Sequence, residues 1–177
     1  MAKVFIDLGA YNGDTITAAM TQPFDKFVGF EPNPETFAEA KKLLGSDPRV
    51  TLFNAAAGAE DGEATFFVHH TAANKHGRRQ SKGSSLFQRD KPGTIDPIKC
   101  QVIDFSRYLL ANHMSDEVSL KVDIEGAEYD VLEKMFADGS IACVKELRVE
   151  YHQTKIPAIT LERHNALVER LKNIPSF

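Results

Sequence analysis

The 177-residue sequence contains only two cysteines, Cys100 and Cys143, which are too few for a disulfide framework and lack metal-ligand spacing. No apolar run approaches the ~20 residues that a membrane-spanning helix needs. Near the N-terminus, the apolar residues 4–6 are followed at once by Asp7, so this run is too short for a signal peptide. These absences predict a protein of the reducing cytoplasm that has no membrane segment.

Neither sign of charge dominates the sequence. The chain has 21 Lys and Arg residues against 25 Asp and Glu residues, a formal net charge of −4, which disfavours a dedicated nucleic-acid binder. Internal repeats and low-complexity tracts are missing as well. Hydrophobic residues make up 42% of the chain, so length and composition together predict a single domain over residues 1–177.

Short runs of β-branched and aromatic residues alternate with segments of helical periodicity. The runs predict strands at residues 4–8, 26–30, 50–54, 118–123 and 144–151. Helices are predicted at residues 14–20, 34–44, 127–135 and 161–171. Asn33 and Thr160 are of the residue types that cap helix starts. This alternation predicts the α/β class, with a doubly wound, mostly parallel sheet and helices on both faces.

The middle of the chain departs from this alternation. Two extra strands are predicted at residues 63–70 and 98–103, with a long polar loop insertion at about 71–97 between them. Between Thr71 and Lys99 the chain carries a net charge of +5, from Lys75, Arg78, Arg79, Lys82, Arg89, Lys91 and Lys99 against two acidic residues. We expect this basic loop either to close over an anionic group of a substrate or to remain a solvated loop.

The turn after the first strand is a candidate ligand site, because ligands of open parallel sheets bind beyond the carboxyl ends of the strands. The turn reads DLGAYNG from Asp7 to Gly13, and its two glycines permit close approach of the backbone to a ligand. Tyr11 stands where a dinucleotide-binding turn has a glycine beside the pyrophosphate. The motif therefore favours a ligand without a pyrophosphate, such as an adenosyl sulfonium, although a turn without a ligand fits it about as well.

The next two strand ends add candidate contacts for a nucleoside. Glu31 follows the second strand, where an acidic side chain accepts hydrogen bonds from both ribose hydroxyls; a solvated carboxylate is the alternative. Asn54 and the alanines at 55–57 follow the third strand. These small side chains leave room for a flat adenine, or they serve tight packing of a helix on the sheet.

Four carboxylates follow the fourth strand. Glu128 and Asp130 are predicted to complement the positive end of the next helix dipole. Asp123 and Glu125 instead are expected at the mouth of the sheet, beside the bound ligand.

The fifth strand brings Glu150 and His152 to the same edge. The imidazole titrates near neutral pH, so His152 is either a general base for a hydroxyl proton or a polar surface residue. The same Asp, Glu and His residues offer ligands to Mg²⁺, but their spacing does not require a metal, and we expect none.

The sequence resembles the FkbM-type methyltransferases, which depend on S-adenosylmethionine. The resemblance rests on VFIDLGAYNGDT (4–15), VGFEPNP (28–34), VTLFNAAAGAEDG (50–62), GSSL (83–86) and LKVDIEGAEYDVL (120–132). It implies the Rossmann-like methyltransferase fold and methylation of a hydroxyl oxygen on a sugar, a glycolipid or polysaccharide unit, or another small molecule. A small-molecule acceptor, anionic or a sugar, is therefore the expected partner.

The resemblance implies cofactor roles for Asp7, Gly9, Gly13 and Glu31, and a site role for Asp123. The other cofactor-binding candidates are Ala10, Tyr11, Pro32, Asn54, Ala55 and Ala56. The catalytic candidates are Asp123, Glu150 and His152. The candidates for binding the acceptor are Ser84, Ser85, Glu125, Arg78 and Arg79.

The chain departs from the family pattern at both ends. Members usually carry residues ahead of the first strand, which here begins almost at Met1, and a β-hairpin after the last helix, whereas this chain stops at Phe177. We therefore expect a near-minimal core whose final two strands are absent, supplied by a partner subunit or removed. An open edge strand promotes association, which favours a homodimer.

Three other function classes remain open. A non-catalytic module would bind the cofactor without transferring a methyl group. A nucleic-acid methyltransferase would use the basic loop, but the chain has Asp123 to Gly126 (DIEG) where such enzymes carry an Asn-Pro-Pro-Tyr-type element. An enzyme using NAD or a nucleotide sugar is disfavoured by Tyr11.

Overall fold

The structure is a computed structural model that describes residues 1–70, 81, 83–88 and 94–177. Its strands are β1 (Lys3–Leu8), β2 (Lys26–Phe30), β3 (Val50–Phe53), β4 (Ala56–Gly58), β5 (Gly62–His70), β6 (Thr94–Asp104), β7 (Glu117–Val122) and β8 (Val144–Val149). Its α-helices are α1 (Asp14–Ala19), α2 (Pro34–Leu44), α3 (Phe105–His113), α4 (Glu128–Ala137) and α5 (Leu161–Leu171). Short 3₁₀ helices cover Ser140–Cys143 and Gln153–Lys155.

The main sheet has five strands in the order β3-β2-β1-β7-β8, and every neighbouring pair is parallel. From β1, the chain first builds outward through β2 and β3, and later through β7 and β8 on the opposite side. The strand order therefore reverses between β1 and β7, which is where open α/β sheets bind their ligands. This topology confirms the predicted doubly wound parallel sheet.

Strand β1 is buried on both faces of the sheet. Val4, Ile6 and Leu8 pack into one hydrophobic cluster, with residues of α3, α4 and α5. Phe5 points to the opposite face, because successive side chains of a strand alternate, and packs with residues of α1 and α2. Helices on both faces explain why the strand reads as a continuous apolar run.

A second, three-stranded sheet has the order β4-β6-β5, with β4 parallel and β5 antiparallel to β6. Strand β6 begins at Thr94, so the last four residues predicted as loop, 94–97, belong to the strand. Pro97 is tolerated there because β4 pairs with β6 only from Val102 onward, leaving Pro97 paired on one side alone, with Phe67.

Helix α3 was not predicted from the sequence. It follows β6 directly, and the carboxylate of Asp104 caps it by accepting a hydrogen bond from the N–H of Arg107 at 2.9 Å. Phe105 and Leu109 bury its inner face in the core. Within the described residues, no helix combines the length and apolar character that crossing a bilayer demands.

The edge strand β8 has a neighbour near the C-terminus of the chain. The N–H of Leu147 donates a hydrogen bond of 2.8 Å to the carbonyl oxygen of Pro175. Residues 172–177 form no strand.

Candidate active site

A cleft of about 410 Å³ opens where the main strand order reverses, within the ~300–1,000 Å³ that is usual for small-molecule sites. It lies at the carboxyl ends of β1, β2, β7 and β8. Ten residues predicted from the sequence line it, namely Gly9, Ala10, Tyr11, Glu31, Pro32, Ala56, Ser84, Asp123, Glu125 and Glu150. Phe66 and Leu86, which the sequence did not single out, add apolar wall on the side of the second sheet.

Six predicted residues lie outside the cleft lining: Asp7, Gly13, Asn54, Ala55, Ser85 and His152. Two of them hold the wall in place. The amide of Asn54 donates to the backbone oxygens of Glu31 at 2.9 Å and Pro32 at 3.3 Å. The hydroxyl of Ser85 donates to the backbone oxygen of Glu125 at 2.6 Å. The predicted Arg78 and Arg79 fall outside the described residues.

The turn after β1 is shaped by close contact with the end of β7. Gly9 has φ +88°, and a Cβ on it would lie 2.0 Å from the backbone oxygen of Asp123. Tyr11 also adopts a left-handed conformation, with φ +50°, which is uncommon for a residue with a side chain. This conformation directs its N–H to a carboxylate oxygen of Glu31, 2.8 Å away.

The carboxylate of Glu31 is oriented by two backbone donors, one on each oxygen. The N–H of Tyr11 donates to Oε2 at 2.8 Å, and the N–H of Asn33 donates to Oε1 at 2.9 Å. Burial raises the pKa of Glu31, and these hydrogen bonds offset part of the rise. The hydroxyl of Thr36 is a further donor to this carboxylate. Because a carboxylate offers about four acceptor sites, capacity remains for a ligand in the cleft.

Beneath the cleft, Lys121 joins two carboxylates from neighbouring strands. Its ammonium lies 2.9 Å from Oδ1 of Asp7 and 3.5 Å from Oδ2 of Asp123. Asp7 is fully buried, and burial raises its pKa to about 6 even though Lys121 opposes the rise. Sequence reasoning missed Lys121, although a lysine within the apolar run of β7 was a usable signal.

His152 is fully buried behind the cleft, held by Glu128. Oε1 of Glu128 accepts a 2.8 Å hydrogen bond from the N–H of His152 and lies 3.2 Å from its Nδ1. Oε2 of Glu128 accepts from the N–H of Gly126 at 2.7 Å. The expected role of Glu128 as a partner of the helix dipole is thus too narrow, because its carboxylate fixes the imidazole.

The other ring nitrogen of His152, Nε2, faces three carboxylates. It lies 3.4 Å from Oε2 of Glu125, 3.4 Å from Oε1 of Glu150 and 3.8 Å from Oδ1 of Asp123. Burial lowers the pKa of His152, but the hydrogen bond to Glu128 and the charge of Glu125 outweigh it, so the pKa is raised. We call His152, Asp123, Glu125, Glu128 and Glu150 the His152 cluster.

The segment 83–88 adds one bridge to the edge of β5 and brings two predicted serines to the site. Ser85 exchanges backbone hydrogen bonds of 2.8 and 3.1 Å with Phe67. The hydroxyl of Ser84 accepts from the N–H of His69 at 3.0 Å and donates to the backbone oxygen of Ser81 at 2.7 Å. The serines are thus tied to the second sheet, with Ser84 facing the cleft.

The strand order and the carboxylate-lined cleft at its reversal point define a Rossmann-like α/β protein. The chain belongs to the FkbM methyltransferase domain family, whose family model matches residues 7–173. This confirms the resemblance seen in the sequence.

Among solved structures, the chain is similar to a protein from Listeria monocytogenes that is provisionally assigned as an S-adenosylmethionine-dependent methyltransferase. The two share 15% sequence identity over 61% of this chain and 70% of that chain, with a TM-score of 0.29. No curated protein matches the sequence.

Proposed function

We propose that this methyltransferase uses S-adenosylmethionine and methylates a hydroxyl oxygen of a small molecule. The observation that carries the proposal is the carboxylate of Glu31, which is fixed by two backbone N–H groups and faces the cleft. A carboxylate held in this way binds the two adjacent hydroxyls of a ribose at little further cost in conformational entropy.

The shape of the cleft also fits an adenosyl sulfonium. The turn at Gly9 brings backbone close to the ligand, and Ala56 and Ala57 leave space beside the ribose position for a flat base. Phe66 supplies an apolar surface on the same side. The side chain of Tyr11 occupies the place where a pyrophosphate would need bare backbone.

Bound S-adenosylmethionine supplies a methyl group on a positively charged sulfur. Asp123 is the proposed base, because it lines the cleft and burial raises the pKa of its carboxyl, which makes it a better proton acceptor. In this role Asp123 would take the hydroxyl proton as the methyl group passes from sulfur to the acceptor oxygen, with the methyl–sulfur bond breaking to leave a neutral thioether. Glu150 lines the cleft nearby. His152 is fully buried outside the cleft lining, with Nε2 3.8 Å from Oδ1 of Asp123, so we do not assign it the role of base that the sequence offered.

The acceptor side of the cleft is polar. Ser84 and Glu125 are the described residues that we assign to binding the acceptor hydroxyls. Arg78 and Arg79 extend the proposal, from the sequence alone, to an anionic group such as a phosphate or an acidic sugar.

The test is methyl transfer from labelled S-adenosylmethionine to a panel of sugars and phosphorylated alcohols. Asp123→Asn should reduce kcat on the best acceptor by at least ~100-fold, since general-base catalysis contributes about 10²–10⁴. Glu60→Gln removes an exposed carboxylate elsewhere and should leave kcat unchanged. Cofactor binding without transfer to any acceptor would favour a non-catalytic module, and an unchanged rate in Asp123→Asn would refute the role of Asp123.

A further inference from the structure

The imidazole of His152 has one nitrogen engaged and one unsatisfied. Nδ1 contacts Glu128, whereas Nε2 is buried and makes no hydrogen bond within the part of the chain that the structure describes. Its nearest carboxylate oxygens lie at 3.4 Å, longer than the ~2.7–3.2 Å of an N–H···O hydrogen bond. A fully buried polar atom without a hydrogen bond calls for an explanation.

The groups around Nε2 have the spacing of metal ligands. One ligand atom each from Asp123, Glu125 and His152 lie within 4.8 Å of one another. Metal–ligand bonds of about 2.1 Å place neighbouring ligand atoms ~3.0–3.4 Å apart. The distances from Nε2, 3.4 and 3.8 Å, are within a few tenths of an ångström of this range, and the two carboxylate side chains can rotate to bring their oxygens, which lie within 4.8 Å of each other, closer together.

Glu128 contacts the other ring nitrogen of His152, Nδ1, and this contact is also typical of metal-binding histidines. Such a histidine usually donates its other ring N–H to a carboxylate, which fixes both the tautomer and the orientation of the ring. Glu128 is fully buried, takes no part in lining the cleft, and approaches Nδ1 at 3.2 Å. With the proton on Nδ1, the lone pair of Nε2 points at the carboxylates of Asp123 and Glu125.

Within the described residues, two lysines contact the carboxylates near Nε2. Lys121 is shared between Asp123 and Asp7, and Lys155 lies 3.7 Å from Oε2 of Glu125. Glu128 and Glu150 add two further carboxylates to the His152 cluster. A divalent cation would interact favourably with this concentration of carboxylates.

We propose that Asp123, Glu125 and His152 bind a divalent metal ion of the Mn²⁺ type at the wall of the cleft. Carboxylate oxygens with a single imidazole nitrogen suit Mn²⁺, because it accepts both kinds of ligand. Glu150, whose Oε1 is 3.4 Å from Nε2, can complete the coordination together with water or substrate oxygens. A substrate oxygen among these ligands, such as the acceptor hydroxyl, rests on the proposed function. The binding of the metal ion itself does not.

The direct test is electron paramagnetic resonance of the full chain, freed of metal with a chelator and titrated with MnCl₂ in the absence of any cofactor. The free Mn²⁺ signal should fall until one ion per chain is bound. Electron spin echo modulation of the bound ion should then show coupling to a ¹⁴N nucleus, the signature of an imidazole ligand. A free Mn²⁺ signal that does not fall would overturn the site, and so would bound Mn²⁺ that shows no coupling to nitrogen.

Two variants separate ligation from a purely structural role. Glu125→Gln removes a ligand and should weaken Mn²⁺ binding at least 10-fold, and Glu128→Gln, a positioning variant, should weaken it about 10–100-fold. Glu60→Gln is the matched control and should bind Mn²⁺ as the parent does. Circular dichroism checks that each variant is folded; equal Mn²⁺ affinity in folded Glu125→Gln and parent would also overturn the site. Because no methyl transfer is measured, the proposed function can fail without affecting this result.

Discussion

At the scale of single residues, Gly9 lies where the turn after β1 packs against the end of β7. Gly9→Ala should lower the free energy of unfolding by several kcal/mol, because the left-handed conformation alone costs about 1–2 kcal/mol and the new Cβ also meets a carbonyl oxygen 2.0 Å away. Urea unfolding of the parent and the variant measures the difference.

Two other glycines separate the cost of the left-handed conformation from the cost of the close contact with Asp123. Gly139→Ala introduces the same left-handed strain, with φ +81°, but has no atom within 4 Å of the new Cβ, so it should cost only about 1–2 kcal/mol. Gly62→Ala has open space and no positive φ, and should change the stability by less than ~1 kcal/mol. Equal effects at Gly9 and Gly139 would show that the contact with β7 relaxes.

Asp7 links the stability of the protein to pH. The pKa of its carboxyl is about 6 in the folded chain against an ordinary value of 3.8, so between these pH values the folded state holds a proton that the unfolded state has released. Stability contributed by this group is therefore present below pH 4 and is lost as the pH rises through 6. The full difference corresponds to about 3 kcal/mol.

Asp7→Asn should remove this dependence. Measured by urea unfolding in the presence of a chelator, the stability of the variant relative to the parent should increase between pH 4 and pH 7. A difference that stays constant over this range would contradict the raised pKa of Asp7.

Residues at strand ends could be placed from the sequence, whereas partners from distant elements could not. Glu31 and Asp123 follow recognisable strands, so the topology alone brings them to the cleft. Glu128 begins a helix, which made a helix-dipole role the natural interpretation. Its contact with His152 depends on how α4 packs beside the end of β8, and no local pattern in the sequence encodes that packing.

At the scale of elements, caps fix where the helices begin. The hydroxyl of Thr160 accepts a hydrogen bond from the N–H of Arg163 at 3.1 Å at the start of α5. Thr160→Ala should cost about 1 kcal/mol, because this N–H loses its partner, whereas Thr160→Ser should keep most of the stability. Thermal unfolding of both variants is the measurement, and equal loss in the two would exclude capping as the cause.

Helices α2 and α5, which have both caps and helical periodicity, were predicted correctly, whereas α3 was missed although Asp104 caps it. Asn33 and Thr160 cap α2 and α5 as expected. Strand β6 was predicted too short because Pro97 reads as a strand breaker, and its one-sided pairing is visible only in three dimensions. Strand β4 has only small residues, Ala56–Gly58, so it carried no strand signal.

At the scale of the whole molecule, the reversal of strand order between β1 and β7 assembles the site. It brings the turn at Gly9, the carboxylate of Glu31 and the carboxylate of Asp123 around one cleft, although they are far apart in sequence. The alternation of strands and helices predicted this arrangement. The arrangement in turn supports our proposal that the cleft binds S-adenosylmethionine through Glu31.

The most direct test of that claim is calorimetric titration of the protein with S-adenosylmethionine and with S-adenosylhomocysteine. We expect binding in the micromolar range that weakens at least ~10-fold in Glu31→Gln, since a hydrogen bond to a charged group is worth about 1.5–3 kcal/mol. The control Glu60→Gln should bind as the parent does. A parent protein that binds neither ligand, or a folded Glu31→Gln variant that binds with undiminished affinity, would contradict the claim.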